Sequence, residues 1–119
     1  MIEIIIALII VAILSTLALT NYGSYKERTM DKEAKANLKL IIAAEKIYKL
    51  EIGAYYGTTQ IALINENLRL LLPTDEKNWK YITTVSAGNA CAEATRATDA
   101  TKRWKMSNTE DEPGSGACP

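Results

Sequence analysis

From Ile4 to Leu19 the chain carries no charged residue, no proline and no glycine, only Ile, Leu, Ala and Val with a late Ser15 and Thr16. As a helix rising about 1.5 Å per residue, residues 1–19 would extend roughly 28 Å, close to the thickness of a hydrocarbon core. A helix apolar on every side has to be hidden, either in lipid or against other apolar helices. Two plainer readings are a secretory signal peptide and a simple membrane anchor. A signal peptide carries a basic segment ahead of its apolar run and small residues at a cleavage site after it. This chain opens instead on Met1-Ile2-Glu3. An anchor is more often flanked on one side by a Lys/Arg cluster, and Lys26 and Arg28 form only a sparse one, interrupted by Glu27.

The remaining chain bounds the chemistry. With 119 residues in all, removing the apolar end leaves a single small head with a thin core. Fourteen basic and fourteen acidic residues cancel, so no net field draws the molecule toward nucleic acid, an anionic membrane surface or an acidic substrate. Histidine is absent, which removes the commonest general base and transition-metal ligand. An enzyme is not expected, nor a cofactor or a metal.

Glu3 is the discordant residue of the first segment. An unpaired carboxylate in an apolar helix costs several kcal/mol as an order of magnitude, whereas the helix dipole returns under about 1 kcal/mol. The most economical partner is an amino terminus, its own or that of a neighbouring copy. The next cation along the same helix, Lys26, lies roughly 35 Å away on a straight helix.

The run from Met1 to Tyr22, with one early glutamate in an otherwise apolar helix, resembles the mature N-terminus of type IV pilins and of type II secretion pseudopilins. Glu3 matches the glutamate of that family, which places Met1 two residues into the usual mature sequence. The Gly and Pro that often interrupt the family helix fall here at Ala12 and Thr20. The resemblance is specific over residues 1–28, extends through Tyr56, and is architectural beyond. It implies an α+β fold: a long N-terminal helix with an apolar first half, and a small antiparallel sheet packed on its second half. It implies residues 1–28 as a membrane anchor before assembly and filament core after it, with Ile4, Ile5, Leu8, Ile9, Val11, Ala12 and Leu17 packing in the helix bundle and Glu3 setting register. It also implies the partners: further copies of the chain, a prepilin peptidase, the assembly machinery, and the inner membrane before export to an extracellular filament.

The head, residues 29–119, is read as a helix over 30–52, a connection over 53–78, a sheet over about 79–107, and a tail. The helix shows two apolar stripes: Ala34, Leu38, Ile41, Tyr48 and Ile52 on one side, and Ala36, Leu40, Ala43, Ile47, Leu50 and Ala54 nearly opposite. Both stripes fit a helix buried within its own domain. They equally fit one stripe for the head's sheet and one for a neighbouring subunit, and the sequence does not say which is which. Lys32, Lys35, Lys39, Lys46 and Lys49 form a basic edge that reads as solvated.

Gly53 offers a helix stop, and Ile61–Leu72 can hold a short helix ending before Pro73. Trp79–Val85, Ala90–Arg96 and Arg103–Ser107 read as strands of a meander, with Trp79, Tyr81, Trp104 and Met106 as core rather than as a ligand platform. In an exported protein of this kind Cys91 and Cys118 are expected to form a disulfide worth roughly 3–4 kcal/mol in the chain-entropy model. It would pin the otherwise tail-like residues 108–116. The acidic trio Glu110, Asp111 and Glu112 lacks the spaced oxygen ligands of a calcium motif and reads as a solvated loop. Same-family and different-class alternatives are a secretion pseudopilin and a membrane-anchored binding protein.

Overall fold

The computed structural model describes the side chains of residues 1–16 and 23–119. Its elements are α1 (Ile2–Ile52), α2 (Ile61–Leu68), β1 (Trp79–Ser86), β2 (Asn89–Arg96), β3 (Arg103–Ser107) and β4 (Gly114–Ser115). This is the expected α+β class, a long N-terminal helix followed by an antiparallel sheet. The chain divides into two compact units, Met1–Asp31 and Lys32–Pro119.

In the first unit Glu3 sits in the opening turn of α1, and every apolar side chain from Ile2 to Leu14 is exposed. The two hydroxyls of this stretch do not interrupt it. Ser15 Oγ donates to the Val11 carbonyl at 2.7 Å and Thr16 Oγ1 to that of Ala12 at 2.9 Å, so each is satisfied by its own helix. Among the described residues no helix is long and apolar enough to cross a membrane. The apolar run continues to Leu19, and Leu17 to Tyr22 lie outside the described side chains.

The second unit is built on a four-stranded meander in the order β1-β2-β3-β4. β1 and β2 join through Ala87 (φ 52°) and Gly88 (φ 78°), two successive left-handed residues of the kind a two-residue hairpin turn needs to match strand twist. Register places Tyr81 opposite Ala94, Thr83 opposite Ala92, Ala94 opposite Trp104 and Ala92 opposite Met106. Those residues share one face. Asn37 of α1 donates to the Tyr81 hydroxyl at 2.8 Å, and the Lys35 ammonium lies 4.2 Å from the Trp104 ring, so this face meets α1. Ala90, Ala92 and Ala94 are small as well as buried, which leaves room for the helix against the middle strand. Trp79, Tyr81 and Met106 belong to this core and Trp104 is half-buried, in agreement with their reading as sheet-face residues.

The opposite face of β2 carries Cys91, Glu93 and Thr95. Cys91 and Glu93 are buried there beneath the C-terminal segment. The connection over 53–78 contains α2, which buries Ile61, Ile64 and Leu68. It ends at Leu68, short of the expected Leu72. Arg69 takes a left-handed conformation (φ 57°) there, and the Asn65 side chain closes on both polar groups of Leu72, each at 2.9 Å.

Candidate self-association surface

Of the first stripe on the C-terminal part of α1, Ala34, Leu38 and Ile41 are fully buried, Tyr48 is half-buried, and Ile52, against expectation, is exposed. Ile52 is the last residue of the helix. The second stripe is uncovered. Leu40 is 46% exposed, Ile47 58% and Leu50 87%, and Ala36 and Ala43 are exposed between them. Ala54 falls outside the stripe, because α1 stops at Ile52 and Gly53 (φ 98°) turns the chain. The stripe that covers the head's own sheet is therefore the Leu38 one.

The spacing of the exposed stripe carries further information. Ala36, Leu40, Ala43, Ile47 and Leu50 recur at alternating intervals of four and three. That is the seam by which one helix packs on another at a shallow left-handed crossing. Alternation of alanine with larger residues allows close approach. Beside the seam, Leu68 at the end of α2 and Leu70 just past it form a second wall, and the groove between them encloses about 290 Å³. Leu71, the next residue in the chain, is 99% exposed.

The basic edge is largely engaged within the head. Lys35 covers Trp104, Lys49 lies 4.6 Å from the Tyr55 ring, and Lys39 pairs with Glu112 at 2.8 Å. The acidic trio is likewise drawn in: Glu112 binds Lys39, and Glu110 Oε2 accepts the Ser107 N–H at 3.1 Å.

In the first unit the sequence-expected packing residues Ile4, Ile5, Leu8, Ile9 and Val11 are all exposed, as are Ala12 and Glu3, while Leu17 lies outside the described residues. Among the described residues Glu3 has no hydrogen-bonding or ionic partner.

Cys91 and Cys118 are joined in a disulfide that closes a loop across a separation of 27 residues. The tail it bounds is more ordered than its sequence suggests. β4 pairs with Trp104 and Lys105 of β3, the Gly116 N–H reaches the Arg103 carbonyl at 3.0 Å, and the Cys118 N–H reaches Glu93 Oε2 at 3.1 Å. Glu93 Oε1 accepts from Thr95 at 3.0 Å and stands 3.6 Å from the Arg103 guanidinium.

One buried group of α1 is ionisable. Glu45 follows Leu38 and Ile41 at helical spacing and so lies in the buried stripe, fully enclosed. Its helical spacing places it inside, although a charged residue type is ordinarily found at the surface. Burial pushes its pKa above the ordinary carboxylate value, with the Tyr56 N–H at 2.8 Å acting in the opposite sense.

No protein-family model matches this chain, and no curated protein or solved structure is significantly similar to it.

Proposed function

We propose that this chain is the structural subunit of an extracellular helical filament of the type IV pilin kind, held in the inner membrane before assembly. The observation that carries this reading is the uncovered helix seam Ala36–Leu50 on a head whose Leu38 stripe is already covered by its own sheet. A head that used α1 only to hold its sheet would need one apolar stripe. The second stripe, spaced for a helix, is served by a helix of another copy.

The N-terminal segment poses the same demand more strongly. Its exposed apolar side chains from Ile2 to Leu14 are hidden without lipid when identical helices bundle together. The two surfaces differ, so a contact that matches one to the other is heterologous and propagates into an open filament. Burial would strand Glu3, the one charged residue among residues 1–16, unless a cation met it. The amino terminus of an adjacent copy supplies that cation in one register only, and a wrong register costs several kcal/mol. The Cys91–Cys118 bond favours a pilin over a secretion pseudopilin. A prepilin peptidase and an assembly machinery are the further partners this reading requires.

The test is to shear surface material from cells producing the chain and image it. Filaments containing the chain are expected, and Glu3→Ala is expected to fold and reach the membrane yet yield few of them. Protein found only as detergent-soluble monomer, never in the sheared fraction, would overturn the reading in favour of a membrane-anchored binding protein.

A further inference from the structure

Glu45 is enclosed by the head with half of its hydrogen-bonding capacity unused. Oε2 accepts the Tyr56 N–H at 2.8 Å, while Oε1 is buried with no hydrogen-bond partner. The Tyr56 peptide continues the connection, since its carbonyl accepts the Thr83 hydroxyl of β1 at 3.1 Å. Two residues on, Thr58 and Thr83 exchange backbone hydrogen bonds at 3.0 and 2.9 Å as an isolated bridge. The segment Gly53–Thr58 is thus clipped between α1 and β1, and on the helix side the Glu45 carboxylate takes its Tyr56 N–H while the Tyr48 ring and the Lys49 ammonium touch the rings of Tyr56 and Tyr55.

Among the described residues no cation pairs with that carboxylate. On α1, Lys46 and Lys49 are exposed, and Lys49 lies over Tyr55. α2 turns Ile61, Ile64 and Leu68 inward and leaves Glu66 and Arg69 exposed. β1 offers Thr83 and the phenol of Tyr81, whose pKa is pushed up to about 12 chiefly by burial, so it is neutral below that pH. The segment itself brings the phenols of Tyr55 and Tyr56. A neutral carboxyl suits this enclosure. An ionised one gains from the Tyr56 N–H but loses its hydration on both oxygens, and burial is the larger of the two effects.

We propose that Glu45 is a proton-operated latch, holding Gly53–Thr58 on the head while it is neutral and loosening that segment when it ionises. Opening lets water reach the carboxylate, so the ionised form favours the open state. The Tyr56 ring sits 5.7 Å from that of Tyr48, and Tyr48 lines the seam groove. The latch therefore reaches the self-association surface, a consequence that rests on the filament reading, whereas the latch itself does not.

The direction in pH follows from the raised folded value. Closure is fully favoured below the ordinary carboxylate range and is lost as pH rises through the folded pKa, with opening increasing by at most about tenfold per pH unit on the way. The test is amide hydrogen exchange by NMR on the full chain in detergent micelles from pH 4 to 8, expressed as protection factors. In the wild type, protection at the Tyr56 and Thr58 amides should fall as pH rises across this range, while Ala92 and Ala94 in the middle strand hold steady. Glu45→Gln, neutral at every pH and still able to accept from Tyr56, should abolish the slope and exceed wild-type protection at pH 7. Glu45→Ala, without an acceptor, should leave both amides weakly protected at every pH. A flat wild-type profile, an unchanged slope in Glu45→Gln, or a parallel fall at Ala92 and Ala94 would each overturn the latch.

Discussion

The backbone N–H of Cys118 meets Glu93 Oε2 at 3.1 Å, so the residue that closes the disulfide is also held by a carboxylate of the strand it is bonded to. With β4 paired to β3, the Gly116 N–H on the Arg103 carbonyl and Lys39 bound to Glu112, the tail has several non-covalent attachments besides the bond. Reducing the disulfide removes a constraint on the unfolded chain more than a contact in the folded one. In the double variant Cys91→Ser, Cys118→Ser we expect a loss of about 3.5 kcal/mol for a loop of this length. Amide protection at Gly116 should persist. Chemical denaturation reads the first and hydrogen exchange the second; a tail that exchanges freely would show the bond to be its only anchor.

Leu38 and Leu40 are two residues apart on one helix and face opposite environments, one fully buried and the other 46% exposed. An aspartate at Leu38 would bury a charge without a partner and remove core packing, at a cost of more than about 3 kcal/mol. Leu38→Asp should fail to fold. Leu40→Asp should melt within about 0.5 kcal/mol of wild type and fail only to assemble. Thermal unfolding in detergent and yield of sheared material separate the two, and normal filaments from Leu40→Asp would remove the seam from the interface.

Ala87 holds φ at 52° in the β1–β2 turn, a conformation that costs a residue with a Cβ more than it costs glycine. Ala87→Gly should stabilise the head by up to about 1 kcal/mol. Gly88 sits at φ 78°, and Gly88→Ala should destabilise it by a similar amount. Denaturant midpoints measured side by side should move in opposite directions; two shifts of the same sign would contradict this account of the turn.

Asn37 Nδ2 and the Tyr81 hydroxyl tie α1 to β1 at 2.8 Å in a part-buried setting. Tyr81→Phe removes the acceptor and strands the amide, which should cost about 1–3 kcal/mol. The paired change Asn37→Leu, Tyr81→Phe should recover part of that loss. A double-mutant cycle by denaturation checks it, and additive effects would mean that the two groups do not act together.

The strands show where local reading succeeds. Expected over 79–85, 90–96 and 103–107, they run 79–86, 89–96 and 103–107, because β-favouring residues between turn formers carry their own local signal. β4 had no such signal. Gly114 and Ser115 do not favour strands, and they pair only because the tail is brought alongside Trp104 and Lys105.

The sequence alone determined the apolar character of the first segment, the isolation of Glu3, the two stripes of α1 and the three longer strands. All of these are periodicities or compositions within a few residues of each other, which backbone geometry converts directly into faces and elements. Only the tertiary structure decided that the Leu38 stripe is covered and the Leu40 stripe bare. It also decided that Glu45 is enclosed against Tyr56 and that the tail rests on Glu93. Each of those depends on which surface a distant segment covers. Covering is set by the balance of buried area and polar satisfaction over the whole head, a quantity that no local window contains.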